Sequence, residues 1–289
     1  MNLDNLNEYS GWTSRAEVLR ERIDVQRVQA LAATLDLPTD FDDGTPLPAG
    51  WQWLFFNPVA PRSQLATDGH PRRDSPGSFL PPVPLPRRMW AGSRIRYLRD
   101  VPIGGDVLRT SRILKVTNKE GRAGKLCFVT VEHRLEVRGE DCIVEEQDIV
   151  YREASSSPAS ASPAAPVAPV EFSNRVTVDS TLLFRYSALT FNGHRIHYDK
   201  PYACDVEGYS NLVVHGPLSA TLLQNFARAC SPERRLVEFE FKGASPLFVD
   251  EAFELQAWTE AADRNHLTMR VIDAHGALAM QASVRLENR

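Results

Sequence analysis

The sequence predicts an α+β protein made of two halves, in which antiparallel strands wrap a buried helix twice or one and a half times over. Three observations carry this. Residues 154–170, ASSSPASASPAAPVAPV, contain only Ala, Ser, Pro and Val, have almost nothing to bury, and read as a linker between 1–153 and 171–289. From Cys127 to Arg138 apolar and polar residues alternate, with Cys127, Val129, Val131, His133, Leu135 and Val137 on one face of a half-buried strand. Leu218, Leu222, Leu223 and Phe226 make segment 217–229 apolar on more than one side, which suits a buried helix.

In chain order, the first half opens with an expected N-terminal helix. Ser14 and Glu17 have capping-box spacing, and Leu19, Ile23, Val28, Leu31, Ala32 and Leu35 recur at helical intervals up to Pro38. Residues 42–92 are rich in Pro, Gly and Asp and read as loops, with Trp51-Gln52-Trp53-Leu54-Phe55-Phe56 as one short strand. Strands at 107–117 and 142–152 flank the alternating segment, broken at Lys119-Glu120-Gly121 and Arg138-Gly139-Glu140-Asp141, so an antiparallel meander is expected. The second half begins with a strand at 175–179 leading into a histidine-rich segment. Its helix has Gly216 as cap and Pro217 at the first helical position, where the missing N–H costs nothing. Strands at 235–242, 252–260, 266–273 and 277–287 follow.

Composition narrows the function classes. With 43% hydrophobic and 24% charged residues the chain is globular, and a net charge of −4 argues against wholesale nucleic-acid binding, which needs a clustered basic excess. The start, MNLDNLNEYS, has no apolar core of a secretory signal, and no apolar run approaches membrane-span length. A soluble cytoplasmic protein is expected, with no nucleic-acid or membrane partner. Cys127, Cys142, Cys204 and Cys230 show no close pairing and read as small buried hydrophobes in a reducing compartment.

Chemistry concentrates in Phe191-Asn192-Gly193-His194-Arg195-Ile196-His197-Tyr198-Asp199 and Val214-His215-Gly216-Pro217. The chain has seven histidines, and three of them fall in these two short stretches. An imidazole can activate water or deliver a proton to carbon when a neighbour fixes its tautomer. Gly216 opens a helix, where unpaired N–H groups and the helix dipole favour developing negative charge. Asn192 can orient a water or a ring through its amide. His194 and His197 also have HxxH spacing, but the HExxH context of a zinc site is absent, and no metal is expected. Each histidine taken alone could equally be structural, Arg185 and Arg195 could be surface charges, and Asp199 a turn former.

Residues 181–226, TLLFRYSALTFNGHRIHYDKPYACDVEGYSNLVVHGPLSATLLQNF, resemble the MaoC-like hydratase/dehydratase superfamily. That family carries an Asp-x-Asn-Pro-(apolar)-His signature and then a His-Gly turn opening the central helix. The nearest subgroup combines hydroxyacyl-thioester dehydratases of type 2 with mesaconyl-C4-CoA and itaconyl-CoA hydratases. The resemblance extends over the whole chain, with 181–226 its specific part. It implies a double hot-dog fold whose second half carries the complete site and whose first half is degenerate. It further implies a hydro-lyase acting on an acyl-CoA thioester without a cofactor, with a homodimer left open.

By position, His197 matches the catalytic histidine and Gly216 the oxyanion-hole glycine. Asn192 stands in place of the family's aspartate and His194 in place of its asparagine. His197 is then expected as the main acid/base, with Asn192 orienting the water and His194 orienting the ring or thioester; an exchange of roles between the two histidines stays open. A five-carbon dicarboxylyl substrate would call for a bidentate arginine, with Arg195 and Arg185 as candidates. His215 joins them as a substrate-binding candidate, and Lys242 or Arg87-Arg88 could meet the CoA pyrophosphate. The leading expectation is hydration of mesaconyl-C4-CoA or itaconyl-CoA to citramalyl-CoA. Its alternatives are a 3-hydroxyacyl-thioester dehydratase of fatty-acid synthesis, a hot-dog thioesterase, and a non-catalytic acyl-CoA binder. Residues 214–229 contain no acid, which speaks against the thioesterase.

Overall fold

A computed structural model describes residues 9–73, 78–121, 124–153 and 164–288. The first half runs β1 (Ala16–Arg22), α1 (Val25–Thr34), β2 (Arg87–Tyr97), β3 (Asp106–Gly121), β4 (Gly124–Val137) and β5 (Glu140–Arg152). The second runs β6 (Phe172–Val176), α2 (Ser180–Leu189), α3 (Gly216–Cys230), β7 (Arg234–Gly243), β8 (Phe253–Glu260), β9 (Asp263–Ile272) and β10 (Leu278–Asn288). All ten strands form one sheet in the order β1-β3-β4-β5-β2-β7-β10-β9-β8-β6, and every neighbouring pair is antiparallel.

Each half therefore repeats one topology: a first strand at the outer edge, a second at the seam, and a three-stranded meander between them. The halves join where β2 pairs β7, from Gly92 opposite Lys242 to Arg96 opposite Glu238. A Cβ at Gly92 would lie 2.3 Å from the Phe241 carbonyl oxygen, so the seam's closest approach requires glycine.

Between first and second strands the two halves differ. The second half inserts α2 and then α3, a 15-residue helix that buries Leu218, Ala220, Thr221, Leu223, Gln224 and Ala227 and packs on β7, β8, β9 and β10. The first half inserts α1, which packs on α2, and then, among the described residues, only 3₁₀ turns at Trp51–Leu54 and Arg62–Gln64. The first of these leans on α3, with Trp51 Nε1 donating to Asn225 Oδ1 at 3.1 Å, and Tyr97 of β2, whose hydroxyl accepts the Gly50 N–H, donates to Gln224 Oε1 at 2.6 Å. One apolar cluster runs through both halves, from Ile23, Leu31 and Trp51 to Leu218, Leu223 and Phe239.

The meander lies where alternation put it, with Cys127, Val129, Val131 and Leu135 all at most 2% exposed. Other expectations need correction. The N-terminal helix does not begin near Ser14. Residues 16–22 are strand β1, whose half-buried Glu17, Leu19 and Glu21 alternate with exposed neighbours in register with β3. Leu19 and Ile23 matched a helical interval by coincidence, and the true cap is Asp24, whose Oδ1 accepts the Arg27 N–H at 2.8 Å.

The island 51–56 is not a strand. Gly50, at φ +84°, turns the chain into the 3₁₀ turn, and Trp51, Leu54, Phe55 and Phe56 are all buried, so the apolar run carried no periodicity to read. Helix α2 was not expected. Helix α3 starts one residue earlier than read, with His215 as its N-cap. Of the segment 154–170, residues 154–163 lie outside the described residues. Residues 164–170 run without helix beside the second half, held by an Ala164–Ala277 bridge and by Arg270 Nη1 on the Pro166 carbonyl at 2.5 Å. All four cysteines are free, and among the described residues no helix is long and apolar enough to cross a membrane.

Candidate active site

The site forms in the chain between α2 and α3. The Asp179 side chain caps α2 by accepting the Leu182 N–H at 2.7 Å, and the helix ends as Phe191 takes a left-handed φ of +50°. The chain then turns through Asn192 and Gly193 into a 3₁₀ turn at Arg195–His197, passes a π-helical turn at Tyr202–Val206, and returns to α3. The return strand is pinned by the Val213 N–H donating to the Ile196 carbonyl at 3.0 Å, which sets His197 beside the mouth of α3.

His197 is buried, and its Nδ1 lies 2.7 Å from the Val213 carbonyl. A carbonyl only accepts, so Nδ1 carries the proton and the neutral ring presents a free lone pair at Nε2. His215, fully buried, stacks on this ring with centroids 3.6 Å apart and planes 18° apart, while its Nε2 meets Ser187 Oγ at 2.8 Å. Its Nδ1 is buried without a hydrogen-bond partner among the described residues. The next residue, Gly216, opens α3, and a Cβ there would meet nothing within 4 Å. Open space thus stands over a helix N-terminus whose first N–H groups lack intrahelical acceptors.

His194 stands edge-on to His197, at 5.4 Å between centroids. Its backbone N–H donates to Asn192 Oδ1 at 3.0 Å, so the Asn192 carbonyl is engaged in the turn and its NH₂ group is left as a donor. Against the other side of His194 lies His70 of the first half, at 4.1 Å between centroids. Asp68 holds His70 twice: Oδ1 accepts the His70 backbone N–H and Oδ2 the Nδ1–H, each at 3.0 Å. Four of the seven histidines and one carboxylate thus form a single cluster.

Electrostatically the cluster is poised neutral. Burial pushes His197 down to about 4, against a small lift from the Val213 carbonyl. Burial also takes His215 well below its usual value, aided by His197 and His194. His194 is lowered by burial and by His70 and His197, with Asp68 opposing. His70 is lowered by burial, which outweighs its hydrogen bond to Asp68, and Arg88 and Arg73 push it further. Burial alone would raise the Asp68 carboxyl; the hydrogen bonds and charge of His70 reverse this and keep it ionised.

A sequence profile for hydroxyacyl-thioester dehydratase type 2 matches residues 50–249. The chain belongs to that family. It is 45% identical over 282 residues to the mesaconyl-C(4)-CoA hydratase of Chloroflexus aurantiacus, covering 96% of this chain and 98% of that protein. A MaoC-like dehydratase from Phytophthora capsici superposes with a TM-score of 0.66 at 14% identity, over 95% of this chain and 96% of that one. A Mycobacterium tuberculosis protein with a double hotdog fold does so at 0.56 and 13%, over 95% and 97%. At such identities the two structures speak to the fold, and the fold is the double hot-dog.

Of the residues singled out from sequence, this member of the dehydratase family brings His197, His194, His215, Asn192 and Gly216 together. The side chains of the other three are engaged or exposed. Arg195 is committed to an ion pair with Asp199 at 2.7 Å and to the Thr67 carbonyl at 3.0 Å. Arg185 is exposed on α2, and Lys242 is exposed on β7 opposite Gly92. Sequence reasoning missed Asp68 and His70, and offered Arg88 only for the CoA pyrophosphate. Asp68-Gly69-His70 was legible as a carboxylate and an imidazole sharing one tight turn, but nothing local tied it to residues 192–216. Arg88, half-buried on β2, is near enough for its charge to lower both His70 and His194 and makes no ion pair among the described residues.

Proposed function

We propose that this chain is a hydro-lyase that reversibly adds water across the α,β double bond of an enoyl-CoA thioester, with mesaconyl-C4-CoA as substrate and citramalyl-CoA as product. The carrying observation is the 45% identity to a mesaconyl-C(4)-CoA hydratase across 96% of the chain. The free Nε2 of His197 beside the open mouth of α3 supports it chemically.

In this reading the thioester carbonyl sits over Gly216, whose N–H and the α3 dipole stabilise the enolate oxygen. His197 Nε2 takes a proton from water as the water oxygen bonds the β-carbon and the π electrons move to the carbonyl oxygen. The imidazolium then returns that proton to the α-carbon as the carbonyl reforms. The oxygen and both hydrogens of water end on the product, and His197 is again neutral. The Asn192 NH₂ group orients the water, and His215 braces the His197 ring from behind. Mesaconyl-C4-CoA bears a carboxylate on the carbon attacked by water, and Arg88 is the guanidinium that receives it. The enzyme works in the cytoplasm on a diffusible CoA ester.

The family profile favours one second reading, dehydration of a 3-hydroxyacyl thioester, which uses the same groups in reverse on a chain with no distal carboxylate. Assays of mesaconyl-C4-CoA, itaconyl-CoA and crotonyl-CoA side by side separate the two. Turnover of mesaconyl-C4-CoA far above crotonyl-CoA is expected; activity confined to crotonyl-CoA would overturn the dicarboxylate reading. Release of free CoA without hydration would overturn both.

A further inference from the structure

We infer that Asp68 and His70, carried by the first half, are positioning residues of the acid/base apparatus: they supply the negative charge that the proton-bearing histidines of the second half lack. The inference rests on the proposed hydration. His197 becomes an imidazolium when water attacks, inside a cluster where its ring neighbours are the imidazoles of His194 and His215. A buried cation of this kind is costly unless a counter-charge reaches it. Asn192 cannot serve, because an amide bears no charge and its oxygen already accepts the His194 N–H. Within the histidine cluster the carboxylate is Asp68. Both its oxygens are used on His70, which fixes the Nδ1–H tautomer and sets that ring against His194.

The segment that carries the pair is built to dock there. Residues 66–70 close a turn with the Ala66 N–H on the His70 carbonyl at 2.7 Å, and Leu65 and Pro71 form a bridge behind it. The Arg195 backbone N–H donates to the Asp68 carbonyl at 2.9 Å and Arg195 Nη1 to the Thr67 carbonyl at 3.0 Å. Gly69 and Gly193 approach so closely that a Cβ on Gly69 would fall 1.9 Å from the Gly193 oxygen. A second-half loop and a first-half turn, each with glycine at the contact, bring Asp68 to the histidines.

The charges facing His194 are Asp68, His70, His197 and Arg88, and those facing His70 are Asp68, Arg88 and Arg73. Ligand atoms of Asp68, His70 and His194 lie within 4.8 Å of one another, a spacing a metal ion could use. Two guanidiniums beside His70, one of which also acts on His194, and Nδ1 of His70 already spent on Asp68, favour the proton-relay role instead.

The test compares wild type, His197→Ala, Asp68→Asn, His70→Asn and the double variant Asp68→Asn/Asn192→Asp on mesaconyl-C4-CoA. Asp68→Asn should lose roughly 10- to 100-fold in kcat with KM little changed. Removing the negative charge lowers the pKa of His194 and His70, the imidazoles on which Asp68 acts, so the acid limb of kcat/KM should move to lower pH. His70→Asn, which keeps a donor for Asp68, should show the same kcat loss. The double variant restores a carboxylate within reach of His194 and should recover activity, which a merely structural Asp68 would not allow. An unchanged kcat and acid limb in Asp68→Asn, with His197→Ala inactive, would sink this inference and leave the hydratase reading standing. A wild type inactive on every enoyl thioester would sink that reading. NMR titration of the imidazole resonances in wild type and Asp68→Asn then decides the coupling without turnover, and unmoved midpoints refute it. Stoichiometric zinc in the purified protein, lost together with activity on chelation, would also overturn the relay.

Discussion

Replacing Gly69 with alanine tests whether the first half's turn belongs to the site. Gly69 has φ +89°, and its Cβ would sit 1.9 Å from the Gly193 oxygen and 2.8 Å from the Gly193 carbon, both backbone atoms that cannot swing aside. Non-bonded carbon and oxygen keep at least about 3 Å apart, so the turn and the 193–195 loop must separate by roughly 1 Å. The left-handed backbone adds about 1 kcal/mol of strain. Gly139→Ala isolates the strain, since Gly139 has φ +83° but nothing within 4 Å of its Cβ position. Both variants should lose a few degrees in Tm, at roughly 2–4 °C per kcal/mol for a chain of this size. They should part in turnover. A displacement of about 1 Å in a positioning group can cost on the order of 100-fold, so Gly69→Ala should lose kcat while Gly139→Ala keeps it. Steady-state kinetics on mesaconyl-C4-CoA with parallel thermal melts measures both effects. If Gly69→Ala turns over like Gly139→Ala, the docked turn has no part in catalysis and the reasoning from its geometry is wrong.

Four further outcomes are expected. His197 and His133 are buried and held near 4, so kcat/KM should stay flat through neutral pH and fall only as pH drops towards 4, where His197 Nε2 is protonated. The same rings titrate near 6.5 once unfolded, so below about 6.5 the unfolded chain binds protons first and Tm should decline down to about pH 4. Ser187→Ala leaves both nitrogens of buried His215 without partners and should cost about 1–3 kcal/mol in denaturant unfolding, whereas a loss below about 0.5 would show that the ring does not depend on this bond. Arg88→Met should raise KM for mesaconyl-C4-CoA roughly 10- to 100-fold and spare crotonyl-CoA, in keeping with one lost charged hydrogen-bonding partner.

How much was legible in the sequence follows from where each signal is local. The strand at 127–137 and helix α3 were readable because one buried face imposes a period on neighbouring residues, and Pro217 marks where the helix can begin. The His194–Gly216 part of the site was readable because a single excursion between two helices carries it. Helix α2 was missed although Asp179 caps it, since Leu182, Leu183, Phe184 and Tyr186 form a nearly continuous apolar stretch that suits strand or helix. The Ser14–Glu17 spacing misled because pairing of β1 with β3, a tertiary fact, overrode it. Asp68 and His70 had no readable connection to His194. Their contact is made by the seam between halves and by a glycine–glycine approach, which no sequence period encodes.

The duplicated topology explains why the carboxylate arrives from the half that has no central helix. In the second half the chain between first and second strands is spent on α2, the histidine loop and α3, whose mouth is the oxyanion site of the proposed mechanism. The first half has the same topological interval but fills it with α1 and short 3₁₀ turns, which leaves residues 57–73 outside the apolar clusters. Because β2 pairs directly with β7, whatever precedes β2 must emerge beside the second half. Arg87 marks that exit, with Nη2 on the Glu207 carbonyl at 2.8 Å and Nε 3.4 Å from the Glu207 carboxylate. The segment just before it, which carries Asp68, Gly69 and His70, is therefore delivered to the histidine loop by sheet connectivity. In the proposed mechanism that segment carries a charged group to a turn that holds only the amide of Asn192, so the fit between the halves, seam glycine Gly92 included, is expected to bear on turnover as well as on stability.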